Sequence, residues 1–155
     1  MQMKEEVIRI NKNVFIHTAH LDGFKSNVIA VFLLADLSKE TVTKNALIPA
    51  VLRRGTEELK TMKEITTKMN DMYGSVFDAS VDKLGDKQTI QLYLSMIDNN
   101  YALEGEDLLS EGLSFIYSVL YNPKLEDGVF DAEYVEQEKQ TLRELIKGKI
   151  NDKGQ

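Results

Sequence analysis

Two histidines, no cysteines and 25 Asp and Glu side chains are what this chain of 155 residues brings to chemistry. Without thiols there is no disulfide, no thiolate zinc site and no cysteine nucleophile. His17 and His20 have the spacing His-x-x-His, which suggests a metal pair. On a strand, however, residues three apart point to opposite faces, so two imidazoles cannot easily share one ion. Ordinary strand-end histidines are the favoured reading. Glu136, Glu138 and Glu144 offer carboxylates for acid–base or metal chemistry. Glu138 and Glu144 are about 600° apart around a helix and project on different sides, so a solvated face is favoured for this group. Glu104, Glu106 and Asp107 precede a predicted helix, where carboxylates stabilise the positive end of the dipole without any further role. Met62, Met69 and Met72 could form an adaptable peptide-gripping surface, but their helical spacing points to core. No dinucleotide-binding glycine motif, P-loop or nucleophile elbow is present.

These residues must be positioned by a chain of ordinary globular composition, 43% hydrophobic and 28% charged. Its length suits a single domain. The formal charge of -6 gives no electrostatic support for nucleic-acid binding. The start of the chain has no basic segment followed by an apolar one, so no secretion signal is read. The longest apolar run, Val28–Ala35, is too short to span a bilayer. A cytoplasmic protein without a membrane span is expected.

Val7–Ile10 and Val14–Thr18 flank Asn11-Lys12-Asn13 and predict a hairpin. Asn27–Ala35 is apolar at every position after Asn27, which predicts a strand buried on both faces at the centre of a sheet. A helix capped at Ser38 should run to about Arg54, kinked by Pro49 and stopped by Gly55. Thr61-Met62-Lys63-Glu64 is a capping box, and Met62, Ile65, Met69, Met72 and Tyr73 share one face of the helix that it opens and Gly74 closes. Val76–Lys83 alternates, with Phe77, Ala79 and Val81 on one side. After Leu84-Gly85-Asp86 a second half-buried strand carries Ile90, Leu92, Leu94 and Met96. A helix with Leu109, Leu113, Ile116, Tyr117 and Leu120 on its apolar face ends before Asn122-Pro123. A last helix from about Asp131 carries Val135, Leu142, Leu145 and Ile146. The order predicts an α+β fold, an antiparallel sheet with helices packed on one face.

Three stretches, read together, narrow this further: Phe24-Lys25-Ser26-Asn27, Asn45 through Thr56 (Asn-Ala-Leu-Ile-Pro-Ala-Val-Leu-Arg-Arg-Gly-Thr) and Tyr73-Gly74. With Leu84-Gly85-Asp86-Lys87-Gln88 and Glu138-Lys139 following in order, the chain resembles the insulinase/pitrilysin metallopeptidase family over nearly its whole length. The resemblance implies that residues 1–155 are a single, truncated module, the N-terminal part of a larger metallopeptidase-like unit. Active members carry His-x-x-Glu-His on the helix that ends in Leu-x-x-Gly-Thr. Counting back from Gly55-Thr56, those positions hold Ala46, Pro49 and Ala50. The third ligand is implied seven residues beyond Glu138, where Leu145 stands, and Glu144 falls one residue short. Two imidazoles on one helical face and a carboxylate base are what such zinc chemistry needs. Neither zinc nor any other cofactor is therefore expected.

What the resemblance leaves is a non-catalytic zinc-peptidase homologue, a structural or peptide-holding partner of a catalytic homologue. Active members hold peptides by adding them to the sheet edge after the second helix. The matching segment is Ser75, Val76, Phe77, Asp78, Ala79, Ser80 and Val81. An ordinary edge strand kept soluble by Asp78, Ser80 and Asp82 is the competing reading. Two further alternatives stay open, a peptidase using another site (Glu138 or Glu144) and a stand-alone peptide-binding module. Truncation would also expose apolar sheet surface, which a homodimer could cover.

Overall fold

A computed structural model describes residues 3–152 of the chain, with side chains described through residue 148. Strands β1 (Met3–Arg9) and β2 (Phe15–Leu21) pair antiparallel, Val7 opposite His17. The Ile10 amide donates to the Val14 carbonyl at 3.0 Å and closes the Asn11–Asn13 turn. Then follow β3 (Ser26–Asp36), α1 (Val42–Leu52), α2 (Met62–Asp71), β4 (Val76–Leu84), β5 (Lys87–Ile97), α3 (Leu108–Tyr121) and α4 (Ala132–Asp152). The second sheet has the order β3-β5-β4, antiparallel throughout. This is the α+β class expected.

One face of that sheet carries the core. Leu92, Leu94 and Met96 of β5 and Ala79 of β4 pack against Leu52 of α1, Ile65 and Met69 of α2 with Met72 just beyond it, and Phe115, Ile116 and Val119 of α3. Phe77 meets Phe115 edge to face, ring centroids 4.9 Å apart. Met69 and Met72 are thus core, as their spacing implied, whereas Met62 is exposed. The capping box is formed: Thr61 Oγ1 accepts from the Glu64 amide at 3.2 Å, and Glu64 Oε2 accepts from the Thr61 amide at 2.8 Å.

Three expectations are corrected. The apolar run of β3 is not the centre of the sheet; β5 is, and β3 lies at an edge. Its Ile29 and Val31 pack on the core, but Val28, Phe32 and Leu34 are 54%, 55% and 62% exposed. A continuous apolar run says that both faces want cover and does not say where in the sheet the strand lies. The second correction concerns α1, which begins at Val42 rather than beside Ser38. Ser38 closes the preceding turn instead, its Oγ accepting from the Glu40 amide at 3.2 Å. Pro49 leaves this helix continuous to Leu52.

The third correction rotates α3. Its buried residues are Leu108, Gly112, Phe115, Ile116 and Val119, while Leu109, Leu113 and Tyr117 are exposed. Gly112 lies at the centre of the buried face. A Cβ there would lie 2.6 Å from Met96 Cε and 3.0 Å from Leu94 Cδ2, so the bare backbone is what lets the helix seat on β5. A count of apolar spacings cannot see a glycine used this way. Among the described residues no helix is long and apolar enough to cross a membrane.

Candidate functional site

The helix that would carry the zinc signature is α1, and its position follows from how its ends are held. At the start, Gln88 Nε2 of β5 donates to the Val42 carbonyl at 2.9 Å. At the end, the chain doubles back so tightly that a Cβ on Gly55 would sit 2.9 Å from Leu59 O and from Lys60 C and O. Thr56, fully buried, donates its amide to Leu59 O at 2.7 Å and accepts the Leu59 amide on Oγ1 at 3.0 Å. The Lys124 amide donates to Gly55 O at 3.1 Å, tying the same turn to the segment before α4. The Gly-Thr pair is therefore a positioning device.

Other residues of the resemblance are structural in the same sense. Asn27 Nδ2 donates to Asp98 Oδ2 at 3.2 Å and the Asp98 amide to Lys25 O at 2.9 Å, fixing the start of β3 to the end of β5. Lys87 is ion-paired with Asp36 across the β3–β5 ladder, which raises the lysine pKa and lowers that of the carboxyl. Tyr73 and Gly74 both take positive φ, 59° and 73°, ending α2 in a left-handed turn. The Tyr73 hydroxyl donates to Glu106 Oε1 at 2.7 Å and accepts from the Leu103 amide at 2.9 Å. That bond lowers the Glu106 pKa and raises the tyrosine's. Asp107 caps α3, accepting on Oδ1 from the Ser110 amide at 3.1 Å; hydrogen bonds from Ser110, first its hydroxyl, hold the Asp107 carboxyl below its ordinary value. Of the acidic cluster, Asp107 thus serves the helix end, and Glu106 holds Tyr73.

Ala46, Pro49 and Ala50 share one stripe of α1 by their i, i+3, i+4 spacing, and Arg53 continues it. Arg53 Nη1 lies 3.2 Å from Asp78 Oδ1 of β4. The stripe therefore runs beside β4, the strand expected to hold peptide, and β4 is an edge of its sheet. Within the expected segment, Phe77, Ala79 and Val81 turn toward the core, and Val76, Asp78 and Ser80 are exposed. Ser75 is buried and donates its hydroxyl to Met72 O at 2.6 Å.

Glu138 is not on a solvated face, which corrects that reading. Its carboxylate is 14% exposed and pairs with Arg54, 22% exposed, Arg54 Nε donating to Oε1 at 2.7 Å while Nη2 meets the same oxygen. The guanidinium lies 5.1 Å from the Tyr134 ring centroid, and Lys124 Nζ lies 4.9 Å from it. Glu136 and Glu144 do keep to the exposed surface, paired with Lys139 and accepting from Gln140 Nε2 at 2.8 Å. Nothing in the sequence alone marks Arg53 and Arg54 for different partners, because adjacent helix residues project about 100° apart toward different elements.

Zinc does not fit these residues. Alanine, proline and leucine offer no lone pair, Pro49 is buried in the helix packing, and Leu145 is 58% exposed. The nearby carboxylate, Glu138, is neutralised by Arg54. No three His, Asp or Glu side chains among the described residues converge as an ion would require. His17 and His20 lie on alternate faces of the β1–β2 hairpin, His20 3.3 Å from Asp22 on the exposed surface. Elsewhere, an open groove lined by Thr56, Glu58, Lys68, Glu111 and Ser114 is spanned by the Lys68–Glu111 ion pair at 2.7 Å.

No family model matches this chain. It is similar to the probable inactive metalloprotease YmfF of Bacillus subtilis (strain 168), 33% identical over 139 residues, which is 88% of this chain and 33% of that protein. The crystal structure of a conserved protein from Enterococcus faecalis V583 superimposes with a TM-score of 0.90 over 96% of this chain and 35% of that one, at 21% identity. The latter likeness is one of fold. The chain spans about a third of the length of each of these proteins.

Proposed function

We propose that this chain is a non-catalytic module of an insulinase-like peptidase homologue, and that the free edge of β4 holds extended peptides. The observation that carries the proposal is a juxtaposition. The helix stripe with Ala46, Pro49 and Ala50 at its chemical positions lies beside an edge strand, β4, that among the described residues pairs with a strand on one side only. Metal-assisted hydrolysis needs two ligating side chains, a third ligand and a base; the side chains present supply none of the four. Strand addition needs only backbone amides and carbonyls, with pockets for alternate side chains. The similarity to a probable inactive metalloprotease agrees with a module that keeps the scaffold without the chemistry.

Hydrogen exchange tests the reading. Adding an extended peptide should slow exchange of amides between Ser75 and Val81. The same peptide N-methylated at every residue should have no effect, because it has no amide left to donate to the ladder. Equal protection by both peptides, or protection confined to another element, would refute strand addition.

A structural role beside a catalytic homologue is favoured by a second observation, the uncovered apolar face and free edge of β3. An edge of this length with no proline, whose one charge is the terminal Asp36, is a template for pairing. Co-purification from the native host of a homologue that retains His-x-x-Glu-His is the expected result. Recovery of the chain alone, as a monomer, would argue against it, and recovery as a homodimer would assign the face to a second copy.

A further inference from the structure

Arg53 and Asp78 belong to opposite sides of the sheet, yet their charged groups meet. Helix α1 packs on the face that carries Phe77, Ala79 and Val81, with Leu52 and Ala79 in one core cluster. Asp78 alternates with these residues and is in register with Tyr93, which puts it on the other face. On its inner side β4 is closed by β5. The 3.2 Å contact between Arg53 Nη1 and Asp78 Oδ1 therefore wraps the side of β4 that β5 leaves open, near the start of the strand and next to the space that an added strand would occupy.

We infer that Arg53 is a removable guard of this edge, and that the edge selects extended peptides with a basic residue opposite Asp78. The inference rests on the peptide-holding reading above and adds to it the class of ligand. In a sheet, directly opposed residues project from the same face with Cβ atoms about 4.5–5.5 Å apart, where opposite charges attract and like charges repel. An incoming strand displaces the Arg53 side chain and leaves Asp78 without its cation. A Lys or Arg opposite Asp78 restores the pair; a Glu opposite it does not. Asp82 projects from the same face further along and is also exposed, with Ser80 between them. Both members of the Arg53–Asp78 pair are about half exposed, so the exchange is inexpensive and the guard can leave.

The test uses three labelled eight-residue peptides of alternating Thr and Val, identical except for Lys, Gln or Glu at one central outward position. Binding is read by fluorescence anisotropy at low salt. The Lys peptide should bind about two- to fivefold more tightly than the Gln peptide, and the Glu peptide weaker by a similar factor, as one exposed pair permits. Asp78→Asn should erase the difference, which separates this contact from the general attraction of a chain with net charge -6 for cations. Arg53→Ala should strengthen binding of all three. Equal affinities in the unaltered protein, or a Lys preference that survives Asp78→Asn, overturn the inference while leaving strand addition intact. No binding of any peptide, to the unaltered protein or to Arg53→Ala, overturns both.

Discussion

Removing the Glu138 carboxylate should unfold this protein much more readily than loss of a surface charge would. Breaking a buried ion pair by deleting one partner costs about 3–5 kcal/mol, whereas an exposed pair is worth less than about 1 kcal/mol. Glu138 at 14% and Arg54 at 22% side-chain exposure are mostly shielded from water, which puts the pair nearer the first case than the second. We therefore expect about 3 kcal/mol for Glu138→Ala. Arg54→Ala should cost a similar amount, because it strands the carboxylate and also gives up about 0.5–1 kcal/mol of stacking on Tyr134. The double variant should lose only about 4 kcal/mol, since neither charge is then left alone, so the coupling is about 2 kcal/mol. With an m-value of about 2 kcal/mol/M in urea, each single variant shifts the unfolding midpoint down by about 1.5 M. Single-variant losses under about 0.5 kcal/mol, or strictly additive ones, would refute the assignment of Glu138 to a structural link between α1 and α4. Peptide hydrolysis abolished by Glu138→Gln would do the same and would restore a catalytic reading of this residue.

Gly55→Ala should destabilise by about 2–3 kcal/mol in the same urea assay, because its Cβ meets the backbone carbonyl groups of Leu59 and Lys60, which cannot rotate away as a side chain can. Gly112→Ala should cost less, about 1 kcal/mol, since the atoms it meets belong to the flexible Met96 and to Leu94; a larger loss than at Gly55 would contradict this. The Asp107 carboxyl is held below its ordinary value of 3.8 by the Ser110 side chain and amide and by Asn99. Its stabilisation is thus complete above pH 3.8 and is lost as pH falls through the lowered folded value. Asp107→Asn, which still caps a helix, should show a smaller drop in thermal midpoint between pH 6 and pH 3; an unchanged drop would assign the acid sensitivity elsewhere.

Local signals in the sequence carried most of the fold. The capping box at Thr61, the β4–β5 hairpin at Gly85 and the Asn11–Asn13 turn are set by residues a few positions apart, and all three formed. The errors lie where distant contacts decide. β3 is apolar enough for a central strand, but which strand becomes central depends on pairings between Ser26–Asp36 and Lys87–Ile97 that no local pattern encodes. The face of α3 turned on the close approach of Gly112 to Met96. Of the candidate site, side chains that can neither ligate zinc nor take a proton were readable by counting, Ala46, Pro49 and Ala50 back from Gly55-Thr56 and Leu145 forward from Glu138. The partners of the adjacent arginines were not. Arg53 reaches Asp78 and Arg54 reaches Glu138, pairs separated by 25 and 84 positions that become visible only once α1, β4 and α4 are packed together.

The most direct test of the central claim is the zinc content of the purified, tag-free protein, measured by elemental mass spectrometry after equilibration with zinc and removal of the free ion. With Ala46, Pro49, Ala50 and Leu145 at the ligand and base positions, the ratio should be close to zero. One tightly held zinc per chain would contradict the account and move hydrolysis ahead of peptide holding as the function of this module.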